Sequence, residues 1–411
     1  MSSQANRGLG RPYAGRRVLL GVSGGIASYK SAWLARLLTK AGAEVDVILT
    51  RSATEFVGAI TFEALTGRPV HTGLFDPGHA LDHIKLVRAA DVIVVAPATA
   101  DLMARAATGQ ADDLLTASLL AATAPVLVVP AMNDRMWAHA QTQANASHLR
   151  ELGYTLLAPD DGMLAVGEGS GPGRMPEPET ILAHVGRLLE RDSALEGRAV
   201  LVTAGPTREP LDPVRFLSNY SSGKMGVAIA AAAWRRGADV TLVAGPLAVP
   251  LPVGVTHVPV QTTTEMRDAV AMRVAASDVL VMSAAPADYQ PLSAAPGKIK
   301  KSGAARTLEL RETPDILVST RDLRKSGAVV VGFALETDDL LANAMRKLES
   351  KGLDMIVLNA ANEPGAGFGV DTNRVTIVRG AGREPEQLPL MDKRDVAEEI
   401  LDRVEALISG R

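Results

Sequence analysis

This sequence predicts two tandem α/β domains, each Rossmann-like with a mainly parallel sheet. Three observations carry that reading. The apolar runs are short and unbroken, as in "VLLGV" (18–22) and "DVIVVA" (91–96), which fits strands covered by helices on both faces. Each run ends in small or polar residues, and doubly wound sheets bind ligands at those carboxyl ends. The chain also starts the same way twice, at "RRVLLGVSGGIASYKSAWLARLLTKAGAEVDVILT" (16–50) and at "GRAVLVTAGPTREPLDP" (197–213). Between the two starts, "LLERDSALEGR" (188–198) is charged and has no strand pattern. The expected domains are therefore residues 15–190 and 196–411.

The first segment reads as strand, glycine turn, helix and strand. Its turn sets Ser23, Gly24 and Gly25 before a helix N-terminus. Free amides and the helix dipole there suit a phosphate, although a tight turn that binds nothing reads equally well. Thr50 and Ser52 add hydroxyls on the same edge. His83, in "LDHIKLVRAAD", precedes a buried strand that runs into "APATADLMARAATGQADDLL" (96–115), rich in small residues and hydroxyls. The next strand ends in "PAMNDRMW" (130–137), where the Asn133 amide can bond a carboxylate or a carbonyl. The first half closes with "GMLAVGEGSGPGRM" (162–175), which has five glycines in fourteen positions. Such a loop either passes close to a ligand or must move.

In the second half, "GPTREPLDPVRFLSNYSSGKMG" (205–226) is the densest polar run, and Ser221, Ser222 and Gly223 open a helix there. Buried strands follow at "SDVLVMSAAPADY" (277–289), "AVVVGFALET" (328–337) and "DMIVLNA" (354–360). After the first of these come Asp288 and then Lys298, Lys300 and Lys301. Cations beyond a buried strand can neutralise a polyphosphate. Lys347 and Lys351 share one helix face. Neither half carries a G-x-G-x-x-G fingerprint in the expected turn, which disfavours an ordinary dinucleotide dehydrogenase.

Composition narrows the classes. Hydrophobic residues make up 47% of the 411, charged residues 22%, and the net charge is −3, so no nucleic-acid partner is expected. There is no cysteine, which removes disulfides, thiolate metal sites and cysteine nucleophiles. No apolar run reaches the ~20 residues of a membrane span, so no membrane partner is expected. The N-terminal tail shows no signal segment and is expected to be disordered, and the protein cytoplasmic.

Together the motifs resemble the bacterial bifunctional coenzyme A biosynthesis family, in which phosphopantothenoylcysteine decarboxylase is fused to phosphopantothenate–cysteine ligase. "SGGIASYK", "DHIKL", "APATADLMARAATGQADDLL" and "PAMNDRMW" match the first activity in order. "GPTREPLDPVRFLSNYSSGKMG", "SAAPADY", "KIKK", "TPDI" and "GFALET" match the second. The resemblance implies a flavodoxin-like first domain holding FMN, contacted by Ser23, Gly24, Gly25, Thr50 and Ser52. It implies His83 as active-site base and Asn133 on the substrate carboxylate. In the ligase half it implies acyl-cytidylate formation from CTP and 4′-phosphopantothenate, followed by attack of L-cysteine. Lys298 would stabilise the developing charge and Asn219 would hold the activated carbonyl. Met282, Ser283, Ala284, Asp288, Thr313, Pro314, Asp315, Ile316, Phe333, Lys347 and Lys351 would meet CTP, with Mg2+ on the triphosphate through ligands the sequence does not define. The family assembles trimers into dodecamers, with ligase domains pairing as dimers.

The glycine-rich loop resembles the family's flap over the decarboxylase site, with one departure. The family's proton-donating cysteine is replaced by Val166, or by Gly167 if the gap is placed differently. Glu168, or a water ordered by the flap, is the expected substitute, provided that flap closure buries the carboxyl and raises its pKa. Two other readings are an active ligase whose impaired flavin domain serves as an oligomer scaffold, and a regulatory interaction protein built on the flavin fold.

Overall fold

The computed structural model describes residues 10–75, 81–301, 305, 307–336, 340–360, 365–367, 369–380 and 383–411. Residues 1–9 of the N-terminal tail expected to be disordered lie outside them, as does His79; the rest of that tail is ordered, with Tyr13 buried, its amide donating to Ala41 O at 2.8 Å and its hydroxyl to Leu182 O at 3.2 Å. The chain divides into two compact units, Met1–Leu189 and Glu190–Arg411.

The first unit runs β1 (Arg17–Val22), α1 (Ser28–Lys40), β2 (Glu44–Leu49), α2 (Ala59–Thr66), β3 (Val70–His71), α3 (Asp82–Ala89), β4 (Val92–Ala98), α4 (Ala100–Ala107) and α5 (Leu114–Leu120). It continues with β5 (Val126–Pro130), α6 (Asp134–Ala138), α7 (Ala140–Glu151), β6 (Thr155–Leu156), β7 (Asp160–Met163), β8 (Ser170–Arg174) and α8 (Pro178–Leu189). Six strands form one parallel sheet in the order 3-2-1-4-5-6, the doubly wound Rossmann order. Alternate residues of each strand feed separate cores. Val18, Leu20 and Val22 pack with Leu34, Leu38, Ile181 and Val185 on one face. Leu19, Ile48 and Ile93 pack with Leu102, Leu115 and Leu149 on the other. Both faces being covered is why the strands read as unbroken apolar runs. Strands β7 and β8 form a separate antiparallel hairpin.

The second unit runs β9 (Ala199–Ala204), β10 (Arg208–Pro210), β11 (Phe216–Ser218), α9 (Lys224–Arg235), β12 (Asp239–Ala244), β13 (Thr256–Pro259), α10 (Thr263–Val274), β14 (Val279–Met282), β15 (Tyr289–Pro291), β16 (Leu310–Glu312) and α11 (Ile316–Ser319). Then come β17 (Val329–Glu336), α12 (Leu340–Ser350), β18 (Met355–Ala360), β19 (Thr372–Asn373), β20 (Val375–Arg379), β21 (Glu386–Gln387), β22 (Met391–Asp392) and α13 (Lys393–Ser409). Its main sheet is ordered 13-12-9-14-17-18-20-21. The first six strands are parallel and repeat the order of the first unit, and β20 joins antiparallel.

A small device repeats as well. Asp91, before β4, accepts the Arg17 amide of β1 at 2.7 Å. Asp278, before β14, accepts the Ala199 amide of β9 at 2.9 Å. Each satisfies the first donor of the central strand, which the ladder alone leaves open. In both units the strand order reverses beside that central strand, so the crevice expected to bind ligand opens between β1 and β4 and between β9 and β14. Among the described residues no helix is long and apolar enough to cross a membrane.

Candidate active sites

In the first unit, the turn after β1 crosses the crevice. Among the described residues, the amides of Gly24, Gly25, Ile26 and Ala27 donate to no backbone or side-chain acceptor. Four consecutive free donors ahead of a 13-residue helix make an anion cradle. Ser28 shapes it by donating to the Gly25 carbonyl at 2.6 Å. Gly24 is needed for close approach, because a Cβ there would stand 2.4 Å from Ser52 Cβ. Thr50 is buried and its hydroxyl lies 3.1 Å from that of Ser52.

Ser23 departs from its expected part. Its hydroxyl donates to Pro97 O at 2.8 Å, and its amide is also directed at Pro97 O, at 3.3 Å. The same hydroxyl accepts the Thr99 amide. Both Ser23 donors are thus taken, and it braces β1 against the end of β4 rather than offering a proton to a phosphate. Ser31, on α1, ties that helix to the same strand, donating to Ala96 O at 2.6 Å. The spacing Ser23, Ser28, Ser31 was the available signal for these braces.

His83 is the second residue of α3 and lines a cavity of about 640 Å3 with Leu74, Phe75, Ile84 and Leu120. Its Nδ1 is buried and, among the described residues, has no hydrogen-bond partner. The adjacent Asp82 does not orient it, since that carboxylate pairs with His71 at 3.0 Å. Asn133 caps α6, its Oδ1 accepting the Arg135 amide at 3.0 Å. That bond orients the side chain, and among the described residues its Nδ2 donates to nothing.

The glycine-rich loop is the β7–β8 hairpin. Gly171 and Gly173 lie against the Asn133 loop, where a Cβ would meet Asp134 Cβ at 2.9 Å and Met132 O at 2.2 Å. Lys30, buried in α1, donates to Met175 O at 2.9 Å and fixes the hairpin's root. The tip stands free. Gly167 and Gly169 turn it with φ of 91° and 86°, Val166 is fully exposed, and Glu168 is exposed. The burial that would make Glu168 an acid at neutral pH is not present in this conformation.

In the second unit, one pocket of about 450 Å3 opens at the carboxyl ends of β14 and β17. Met282, Ala284, Asp288, Thr313, Pro314, Asp315, Ile316, Phe333 and Lys351 all line it. Lys351 pairs with Asp315 at 2.8 Å. Burial raises the Asp315 carboxyl, but Lys351 and the Val318 amide outweigh it and hold the group below its usual range. Three expected residues fall elsewhere. Ser283 turns its hydroxyl inward, buried and, among the described residues, unpartnered. Lys347 lies on α12, outside the lining. Lys298 is exposed on the connection between β15 and β16, whose ends Tyr289 and Glu312 reach the pocket.

Asn219 spans the crevice. Its Nδ2 donates to Ala285 O at 3.1 Å and to Pro286 O at 2.9 Å. A carbonyl ligand needs a donor, and both N–H groups are already used. The amide therefore has only Oδ1 to offer, which accepts rather than donates. Beneath the pocket, Ala287 is held at both ends, its amide by Thr207 Oγ1 at 2.9 Å and its carbonyl by Thr313 Oγ1 at 2.6 Å. Sequence reasoning passed over Thr207. It also passed over Asp212, whose Asp-Pro-x-Arg setting is a turn signal. Among the described residues no group of three or more His, Asp or Glu side chains is placed to hold a metal, so the expected magnesium finds no protein ligand set here.

Comparison with known proteins covers both units. Residues 8–190 match the family model described as flavoprotein. Residues 195–408 match that described as the DNA/pantothenate metabolism flavoprotein C-terminal domain. The chain is 47% identical over 397 residues to the coenzyme A biosynthesis bifunctional protein CoaBC of Bacillus subtilis, covering 95% of this chain and 97% of that one. It is 46% identical over 413 residues to the protein of the same name from Mycolicibacterium smegmatis, covering 97% and 99%.

Proposed function

Because the chain belongs to the family of bifunctional coenzyme A biosynthesis proteins, enzymes with decarboxylase and ligase roles, we propose a division of labour between its two units. The second unit joins 4′-phosphopantothenate to L-cysteine with CTP. The first unit decarboxylates the resulting 4′-phosphopantothenoylcysteine to 4′-phosphopantetheine with FMN. The observation that carries the ligase half is the pocket in which Asp288, the Thr313–Ile316 turn, Phe333 and Lys351 meet.

A carboxylate is a poor acyl donor because its leaving group would be oxide. Transfer of CMP to that carboxylate, releasing pyrophosphate, replaces it with a better one. Lys298 supplies positive charge as the acyl-cytidylate forms. The amine of cysteine then attacks and CMP leaves. With its Nδ2 spent on Ala285 and Pro286, Asn219 serves this step through Oδ1, which accepts an N–H of the incoming amine and orients its lone pair. Magnesium would travel with the triphosphate.

In the first unit, the amide cradle at residues 24–27 fits the FMN phosphate, and Gly24 and Ser52 set its wall. FMN, when bound, supplies the two-electron oxidation of the substrate thiol and the return of those electrons after carbon dioxide has left. The Asn133 Nδ2 group donates to the departing carboxylate and fixes its direction. His83, with Nδ1 free in an apolar wall, accepts a proton from the substrate. The reading places the enzyme in the cytoplasm as an oligomer of trimers and ligase dimers. Ile26 in the turn before α1, and Tyr29 and Trp33 on α1, exposed at 66%, 62% and 48%, support a buried interface there.

Pyrophosphate release that requires CTP and 4′-phosphopantothenate together, and is lost in Lys298→Ala, tests the ligase half. Equal release by that variant would defeat the role of the lysine. The exposed, thiol-free flap tip favours one second reading, a ligase whose flavin unit cannot complete its reduction. Supplying 4′-phosphopantothenoylcysteine anaerobically to wild type and Glu168→Gln separates the cases. If Glu168 donates, the variant still releases carbon dioxide while phosphopantetheine falls. Unchanged phosphopantetheine leaves water as the donor, and none from wild type establishes the second reading.

A further inference from the structure

We propose that Asp212 is a positioning residue for the ligase, gripping the loop that carries Lys298. The inference rests on the role given to Lys298 above. Lys298 is exposed, and among the described residues its side chain makes no hydrogen bond or ion pair. Nothing about its own contacts holds it, so its placement depends on the backbone beside it.

That backbone is clamped. The Ile299 amide donates to Asp212 Oδ2 at 3.1 Å, and the Ile299 carbonyl accepts Arg215 Nη2 at 2.6 Å. Three residues before Lys298, the Ala295 amide donates to Leu211 O at 2.9 Å. The loop is thus tied on both sides of Lys298 to one five-residue turn, residues 211–215. Asp212 organises that turn. Its Oδ1 accepts the amides of Val214 at 2.8 Å and Arg215 at 2.9 Å, and its Oδ2 accepts Arg215 Nε at 3.0 Å and Nη2 at 2.5 Å.

The carboxylate is buried, and a buried carboxylate is tolerated only when its lone pairs are filled. Here N–H donors fill them, with Arg215 as counter-charge. Burial raises the Asp212 carboxyl, but the amides of Val214, Ile299 and Arg215 and the Arg215 side chain hold it far below its usual range. It therefore stays ionised and acceptor-only at neutral pH. An amide in its place keeps the shape but can turn an N–H towards the Ile299 amide, and it loses the charge pair with Arg215. A free loop would have to order Lys298 anew in each transition state, and misplacement by ~1 Å can cost ~100-fold in rate.

The test uses the full chain and the first half-reaction, with pyrophosphate release from CTP and 4′-phosphopantothenate as the readout. In D212N, kcat should fall roughly 10- to 100-fold, while KM for CTP stays within about twofold, because Asp212 does not line the CTP pocket. In a Lys298→Ala background the same change should cost nothing further, since it acts through the lysine. An equal fall with and without Lys298 would overturn the proposal. Wild-type rate in Lys298→Ala alone would instead overturn the assignment of the lysine. Should D212N fail to fold, hydrogen exchange on the wild type decides: the Ile299 amide should be protected as well as those of Val214 and Arg215, and free exchange there would sink the clamp.

Discussion

The amide of Met132 donates to the carbonyl of Gly173 at 3.0 Å, and a Cβ on Gly173 would stand 2.2 Å from the carbonyl of Met132. The second arm of the glycine hairpin is therefore a wall for the loop that presents Asn133. Gly173→Ala must push the two backbones apart. Decarboxylation should fall at least about tenfold, an effect of ~1.4 kcal/mol on the barrier, while CTP-dependent pyrophosphate release is unchanged. Full decarboxylase activity in this variant would show that the arm does not set the position of Asn133.

Gly24→Ala tests the phosphate cradle. Its Cβ would meet Ser52 Cβ at 2.4 Å and the Ser52 backbone carbon at 2.7 Å, and backbone cannot rotate away as a side-chain tip can. The free amides at residues 24–27 would lose their common aim. FMN affinity should weaken by about tenfold or more, roughly 1.4 kcal/mol, read as loss of the flavin spectrum on purification and on titration with FMN. Wild-type affinity would mean that the flavin phosphate lies elsewhere.

Asn219→Asp turns two donors into a charged acceptor facing Ala285 O and Pro286 O, which the native amide meets at 3.1 and 2.9 Å. Losing two hydrogen bonds and gaining repulsion costs roughly 1–3 kcal/mol locally. Pyrophosphate release should persist, but CMP and phosphopantothenoylcysteine should lag behind it as acyl-cytidylate accumulates. CMP formed in step with pyrophosphate would remove Asn219 from the second half-reaction.

The ion network of the second unit sets an acid limit. Arg236 is buried and pairs with Glu398 at 2.7 Å, Asp402 at 2.6 Å and Glu405 at 3.0 Å. Burial pushes the Glu398 carboxyl up, but Arg235 and Arg236 pull it down from 4.5 to about 2. A depressed carboxyl contributes its stability above its unfolded pKa and loses it as pH falls through the folded one. Thermal stability of this unit should therefore drop between pH 4.5 and 2. Arg236→Ala should cost roughly 1–3 kcal/mol at pH 7, since it removes a buried cation from three half-buried carboxylates, of which Glu398 keeps a second arginine, Arg235. A flat melting profile across that acid window would contradict this account.

The doubly wound class was legible because strands covered on both faces must be apolar throughout, as "VLLGV" and "VIVVAPA" are. The residues expected at the ligase site were legible as motifs at the ends of such strands, and the fold collects Asp288, Thr313, Phe333 and Lys351 around one pocket from four separate stretches. The helical pairing of Lys347 with Lys351 was less informative. Lys351 reaches the pocket and Lys347, one turn earlier, does not, since helical spacing gives a face but not which point of it meets a neighbour.

By itself, the sequence determined the two-unit plan, the apolar strands and the residue types gathered at their carboxyl ends. These follow from local periodicity and from the need to bury apolar surface, both of which are written along the chain. Only the tertiary structure decided how the polar atoms are spent. Ser23 gives its proton to Pro97, Asn219 gives both of its own to Ala285 and Pro286, and Asp212 takes the amide of Ile299 from 87 residues away. A hydrogen bond is settled within about 3 Å and by angle, so which donor remains for a ligand depends on distant backbone whose approach no local pattern encodes.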